Sequence, residues 1–183
     1  MFEGGDGFDP LRYNETATVG LLVAAAGRAG LFALPEFTES HRKLPEGRVR
    51  AGRCDLWIAD EDWSINWLIE FKLFWYPPGA RKGLVRCLNK AVKCVFERDS
   101  GEAGRRFGCA VYHPSDDWLD QTDEQRAQWK APERIEALAA HADYGFRLDG
   151  EAPPAYILLK EVSPRARHLE NYQIGEAVLK DQG

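Results

Sequence analysis

Two short stretches limit what this chain can fold into more than any others. The first is Cys54-Asp55-Leu56-Trp57-Ile58, and the second is Ile65 to Trp75, which contains Glu70-Phe71-Lys72. Successive residues of a β-strand point to opposite faces. In the second stretch Ile65, Trp67, Ile69, Phe71, Leu73 and Trp75 therefore form one apolar face, and Glu70 and Lys72 share the other. In the first, Cys54, Leu56 and Ile58 are expected to do the same, leaving Asp55 opposite them. A turn centred on Asp62-Trp63 closes the pair into a hairpin with Asp55 facing Glu70 and Arg53 facing Lys72. A slip of one residue would set the charged face of one strand against the core face of the other, so burial selects this register. The expectation is that Asp55, Glu70 and Lys72 converge on one solvated face of an anchored hairpin.

The rest of the chain frames that hairpin. Asn14 to Arg28 carries Val19, Leu22, Val23 and Ala26 at helical spacing, with Glu15 in the first turn and glycines at 27 and 30. An acid in a first turn ordinarily complements the helix dipole. Phe37 to Lys43 is read as a strand, and Pro35 obscures its start. After the breaker Pro77-Pro78-Gly79, a helix is expected from Ala80 to about Arg98. Leu84, Cys87, Leu88, Ala91, Cys94 and Val95 form its core face, and Lys82, Arg86, Asn89, Lys90 and Lys93 its polar stripe. Phe107 to His113 is a short buried strand. Thr122-Asp123-Glu124-Gln125 is a capping box, Pro132 opens another helix, and Ala155 to Val162 is the last clear strand. The tail from Arg165 is ambiguous, with a helix interrupted at Gly175 as one reading. The class is α/β (α+β): a mixed central sheet flanked by helices, in one domain over residues 1–183. Its core spans about 14–113, and a helix and strand extension spans about 114–183.

Composition narrows the function. Apolar residues make up 44% of the 183, and there are six tryptophans, which describes a globular chain. No secretory signal and no bilayer-length apolar run is visible, so a soluble, cytoplasmic protein is expected. Cys54, Cys87, Cys94 and Cys109 have no zinc spacing and sit in apolar patterns, which reads as buried free thiols. The net charge is −5, yet both segments flanking the hairpin are basic. Arg42, Lys43, Arg48, Arg50 and Arg53 stand against Glu46 alone, and Arg81, Lys82, Arg86, Lys90, Lys93 and Arg98 against Glu97 alone. The four histidines are scattered. His113, ending a strand, is the one whose position leaves room for a role.

Asp55 and Glu70 are hard oxygen ligands suited to Mg²⁺, which takes one or two carboxylates and keeps several waters. Lys72 supplies a point charge that can support a metal-bound water or a developing phosphorane. Those are the parts of metal-assisted phosphodiester hydrolysis. The ordinary alternative is a surface charge ladder of Asp55, Glu70, Lys72 and Arg53 across two strands.

Gly52-Arg53-Cys54-Asp55, then fourteen residues, then Glu70-Phe71-Lys72, resembles the core motif of the PD-(D/E)XK nuclease superfamily. Cys54 stands where that motif carries proline. The resemblance runs from about Asn14 to His113 and implies a restriction-endonuclease-like αβββαβ core. It further implies Asp55, Glu70 and the Phe71 carbonyl as Mg²⁺ ligands (Mn²⁺ substituting) and Lys72 as the catalytic lysine. Glu15 matches the first-helix acid that many members turn toward the metal. Arg53, Arg86, Asn89, Lys90 and Lys93 are the expected phosphate contacts. The implied activity is Mg²⁺-dependent cleavage of nucleic acid, most simply as a DNA endonuclease, in a homodimer or larger complex where both strands are cut. Two alternatives are a nuclease-fold protein that binds nucleic acid or a protein partner without cutting, and a protein–protein module with structural charges.

Overall fold

A computed structural model describes residues 14–43, 47–76, 81–98, 101–115, 122–125, 131–148 and 154–175. In chain order its elements are α1 (Glu15–Arg28), β1 (Phe32–Lys43), β2 (Val49–Ala59), β3 (Asn66–Tyr76), α2 (Arg81–Phe96) and β4 (Arg105–Pro114). After these come α3 (Ala131–Ala139), β5 (Tyr144–Leu148), β6 (Ala155–Glu161) and a 3-10 turn at Leu169–Asn171. The expected order of helix, three strands, helix and strand is the observed one, with boundaries moved by a few residues. Among the described residues the strands form one six-stranded mixed sheet in the order β1-β2-β3-β4-β6-β5. Only the β3–β4 pairing is parallel; its crossover runs through α2. No helix among the described residues is long and apolar enough to cross a membrane.

Helix α1 starts where the Asn14 side chain accepts a hydrogen bond from the Ala17 amide at 2.8 Å. Val19 and Ala26 pack with Leu56, Ile58, Ile69 and Phe71 on one side of the sheet. On the other side α2 lays Leu84, Leu88, Val92 and Val95 against Trp57, Leu68, Ala110 and Tyr112. The contact between α2 and β4 is close at Gly108, where an added Cβ would lie 2.4 Å from the Val92 nitrogen. A glycine is needed there because nothing larger fits beneath the helix backbone.

Four features depart from the sequence reading. The sheet face carrying Leu68 and Glu70 is not solvated, because α2 covers it, and Glu70 is only 2% exposed. Cys54 packs with Trp57 rather than with Leu56 and Ile58, so strict alternation fails at that end of β2. Strand β5 was not expected; it is an exposed edge strand beside β6. Strand β1 also begins earlier than expected, through Pro35, which an edge strand tolerates. The segment after Arg165 holds the 3-10 turn and no α-helix through Gly175; residues beyond lie outside the described ones. The capping box forms as read, with Thr122 and Gln125 exchanging backbone-to-side-chain hydrogen bonds of 3.0 and 3.3 Å. All four cysteines are free thiols.

Candidate functional site

The hairpin has the expected register: Ala59 pairs with Asn66 and Leu56 with Ile69. Its ladder then stops. Beyond Leu56, β2 continues alongside β1, while β3 continues alongside β4 to Tyr76. The two strands separate into a fork, and a register shift in β1 between Phe37 and Ser40 accompanies the departing arm. A cleft of about 260 Å³ opens on this side, lined by Glu36, Arg50, Gly52, Arg53, Asp55 and Arg98 among others.

Separation exposes backbone groups of β3 that must find other partners. One more ladder step would set Asp55 opposite Glu70, and a second Cys54 opposite Phe71. Instead the Phe71 amide donates to Asp55 Oδ2 at 2.7 Å, and its carbonyl meets the Lys72 ammonium. The Leu73 amide donates to Glu15 Oε2 at 3.4 Å. Lys72 Nζ lies 3.0 Å from Glu15 Oε1 and 3.9 Å from Asp55 Oδ2. Three oxygens from three elements thus surround one cation: Glu15 at the start of α1, Asp55 on β2, and the Phe71 carbonyl on β3. Burial alone would lower the Lys72 pKa. The hydrogen bond that Lys72 donates to Glu15 and the charges of Asp55 and Glu15 outweigh it and hold the ammonium above the ordinary lysine value. Nearby, burial, reinforced by the charge of Glu70, pushes the Cys54 thiol up to about 12, so it stays protonated at neutral pH.

Glu70 goes elsewhere. Its Oε1 accepts from both Nε and Nη2 of Arg98, and the two side chains are 3% and 1% exposed. Arg98 Nη2 also donates to the Arg53 carbonyl, so one guanidinium ties β3 to β2 across the fork. The Arg98 carbonyl accepts from Arg106 Nη1 at 2.9 Å, and Arg106 Nη2 donates to the Ser163 carbonyl at 2.7 Å. The sequence reading placed Arg98 at the end of a basic helix and missed this role. Among the described residues no three His, Cys, Asp or Glu side chains converge as a metal-holding group. The donor set beside Lys72 is two carboxylates and a carbonyl, a combination that suits Mg²⁺ and already surrounds a cation.

The expected phosphate contacts divide. Arg86, Lys90 and Lys93 are exposed on α2, with Lys93 3.9 Å from Glu97. Arg53 pairs with Glu36 at 3.1 Å, both exposed, in place of a charge ladder with Asp55 and Glu70. The Asn89 amide is engaged at both ends: it donates to the Ile174 carbonyl at 2.8 Å and accepts from the Ile174 amide at 2.9 Å. That reserves it for fastening the C-terminal segment to α2. His113 is 4% exposed, with Nδ1 2.8 Å from the Pro114 carbonyl. Comparison with known proteins finds no match: no family model, curated protein or solved structure matches the chain.

Proposed function

We propose that this chain is a restriction-endonuclease-like, Mg²⁺-dependent nuclease acting on DNA. The observation that carries the reading is the fork, where Glu15, Asp55 and the Phe71 carbonyl meet around Lys72. The order of one helix, three strands, a crossover helix and a parallel fourth strand supports it. Glu15, Asp55 and the Phe71 carbonyl would hold the divalent ion, with Mn²⁺ as substitute. When bound, that ion supplies a hydroxide near neutral pH and neutralises charge on the phosphate.

The chain's own residues do the rest. Asp55 fixes the strand edge through the Phe71 amide, so the carboxylate and the Phe71 carbonyl keep a constant relation. Lys72, held protonated, donates hydrogen bonds to the attacking water and to a non-bridging phosphate oxygen; it is cationic support rather than a base. Water adds to phosphorus and gives up a proton to solvent as the bond to the 3′ oxygen breaks, and that oxygen takes a proton from solvent, leaving a 5′-phosphate and a 3′-hydroxyl. Arg50 and Arg53 in the cleft, and Arg86, Lys90 and Lys93 on α2, hold backbone phosphates without reading sequence.

The test is to incubate wild type and Lys72→Ala with labelled duplex, branched and single-stranded DNA and with RNA, with and without Mg²⁺. Wild type is expected to cut DNA only with the metal. Lys72→Ala should lose about 10²-fold or more while keeping its far-UV spectrum, the scale on which one preorganised donor matters. Equal cutting by both proteins would sink the assignment. A second reading, a nuclease-fold module that binds nucleic acid without cutting, is favoured by one observation: the burial of Glu70 against Arg98. Salt-sensitive DNA binding with no cleavage on any substrate would select it.

A further inference from the structure

Glu70 is the residue whose placement the nuclease reading does not absorb. We propose that its partner is Arg98 and not a metal ion, that the pair is a positioning device for the fork, and that the cation site is completed without Glu70. This deepens the nuclease reading and rests on it for the metal.

Three observations carry it. First, the pair is desolvated on both sides, at 1% and 3% side-chain exposure, and both Nε and Nη2 of Arg98 converge on one Glu70 oxygen. Withdrawing either charge would strand the other in a buried environment, where an uncompensated ion is strongly disfavoured. Second, Arg98 is itself anchored: it follows the last turn of α2, its amide donates to the Val95 carbonyl at 3.2 Å and its carbonyl is held by Arg106 at 2.9 Å. From that fixed base it also reaches the Arg53 carbonyl, so it binds the two strands where their ladder has ended. Third, the charges sort themselves. Glu70 and Arg98 cancel within the core. Beside Lys72, Glu15 and Asp55 keep 39% and 23% side-chain exposure, and two carboxylates stand against one ammonium. The residual negative charge and the access a dissolved cation needs are there, and not at Glu70.

The experiment compares the same chemical change at each acid. Mn²⁺ is titrated calorimetrically into the full chain as wild type, Glu70→Gln, Asp55→Asn and Glu15→Gln. Glutamine at position 70 keeps an oxygen for Arg98 and loses the charge a metal would need. Glu70→Gln should bind Mn²⁺ within about threefold of wild type, while Asp55→Asn and Glu15→Gln weaken binding by about tenfold or more, on the scale of a lost ligand. Loss in Glu70→Gln as large as in Asp55→Asn overturns the proposal. Where Glu70→Gln is too unstable to titrate, Glu70→Gln with Arg98→Gln, a neutral hydrogen-bonding pair, takes its place under the same criterion. A denaturant double-mutant cycle with Glu70→Gln, Arg98→Gln and the double variant adds a readout that needs no metal. Coupling of about tenfold or more in the unfolding constant supports the pair, and additive effects overturn it. Full coupling with no Mn²⁺ binding by wild type would leave Glu70 assigned to Arg98 and remove the metal from the nuclease reading, so the two failures are distinguishable.

Discussion

Lys72 touches two carboxylates from different elements, and the consequence is readable in its protonation. Its pKa in the folded chain is raised, since Glu15 and Asp55 outweigh the effect of burial. A raised folded value means the ammonium contributes stability that is fully present below the unfolded value, about 10.4 for lysine. That contribution is lost as pH rises through the folded value. The stability difference between wild type and Lys72→Met, measured by urea unfolding, should therefore be flat from about pH 7 to pH 10 and shrink only above that. A difference that disappears between pH 7 and 9 would contradict the contacts described. With its pKa raised, Lys72 is a cation throughout the neutral range. At this scale the sequence located the charged residues of the hairpin and misjudged their partners, setting Asp55 against Glu70 and Arg53 against Lys72. Alternation put Glu70 and Lys72 on one face, and the strand obeys it. It could not say that Arg98, beyond the end of α2, would claim Glu70 while Lys72 turned to Glu15 on α1. Face is a local property of the backbone; partnership depends on where two helices end in space.

Strand β3 shows how far pattern alone reaches among elements. Its register with β2 was legible because a slip of one residue would set the side of β2 that carries Asp55 against Ile69 and Phe71, which are 5% and 2% exposed. The end of that ladder was not legible, because it depends on β1 drawing β2 away beyond Leu56. Strand β5 was missed for another reason. Tyr144, Phe146 and Leu148 alternate correctly, but the run is five residues long, contains Gly145 and buries none of its members. An edge strand that buries so little leaves only a faint mark on composition. Helix α2 gives the sharpest test at this scale. A methyl group at Gly108 would stand 2.4 Å from the Val92 nitrogen and 2.7 Å from the Ala91 carbonyl carbon, so the helix backbone itself must move. Gly108→Ala should destabilise the chain by about 1–3 kcal/mol or more in urea unfolding. Gly20→Ala is the control, since an added Cβ there meets nothing within 4 Å. Equal stability of Gly108→Ala and wild type would mean that α2 does not lie so close to β4.

Across the whole molecule the two helices meet their purposes at one place. Helix α1 covers one face of the sheet and delivers Glu15 by its first turn; α2 covers the other and delivers Arg98 just past its last. Between them the sheet divides, and the polar groups it uncovers are taken by charged side chains rather than by a continued ladder. The chain as a whole is acidic, yet its cleft carries the exposed Arg50 and Arg53 beside Asp55, while Arg98 is neutralised by Glu70 within the core. A polyanion approaching that side would meet cations first and the carboxylates only at the fork. The central claim is that this fork holds the metal. It is tested most directly by soaking crystals of the full chain in Mn²⁺ and collecting anomalous diffraction. A single strong peak is predicted among Glu15, Asp55 and the Phe71 carbonyl, with the Lys72 ammonium moved aside and the Glu70–Arg98 pair unchanged. A peak on Glu70, or none at the fork with the ion present in the crystal at saturating concentration, would contradict it.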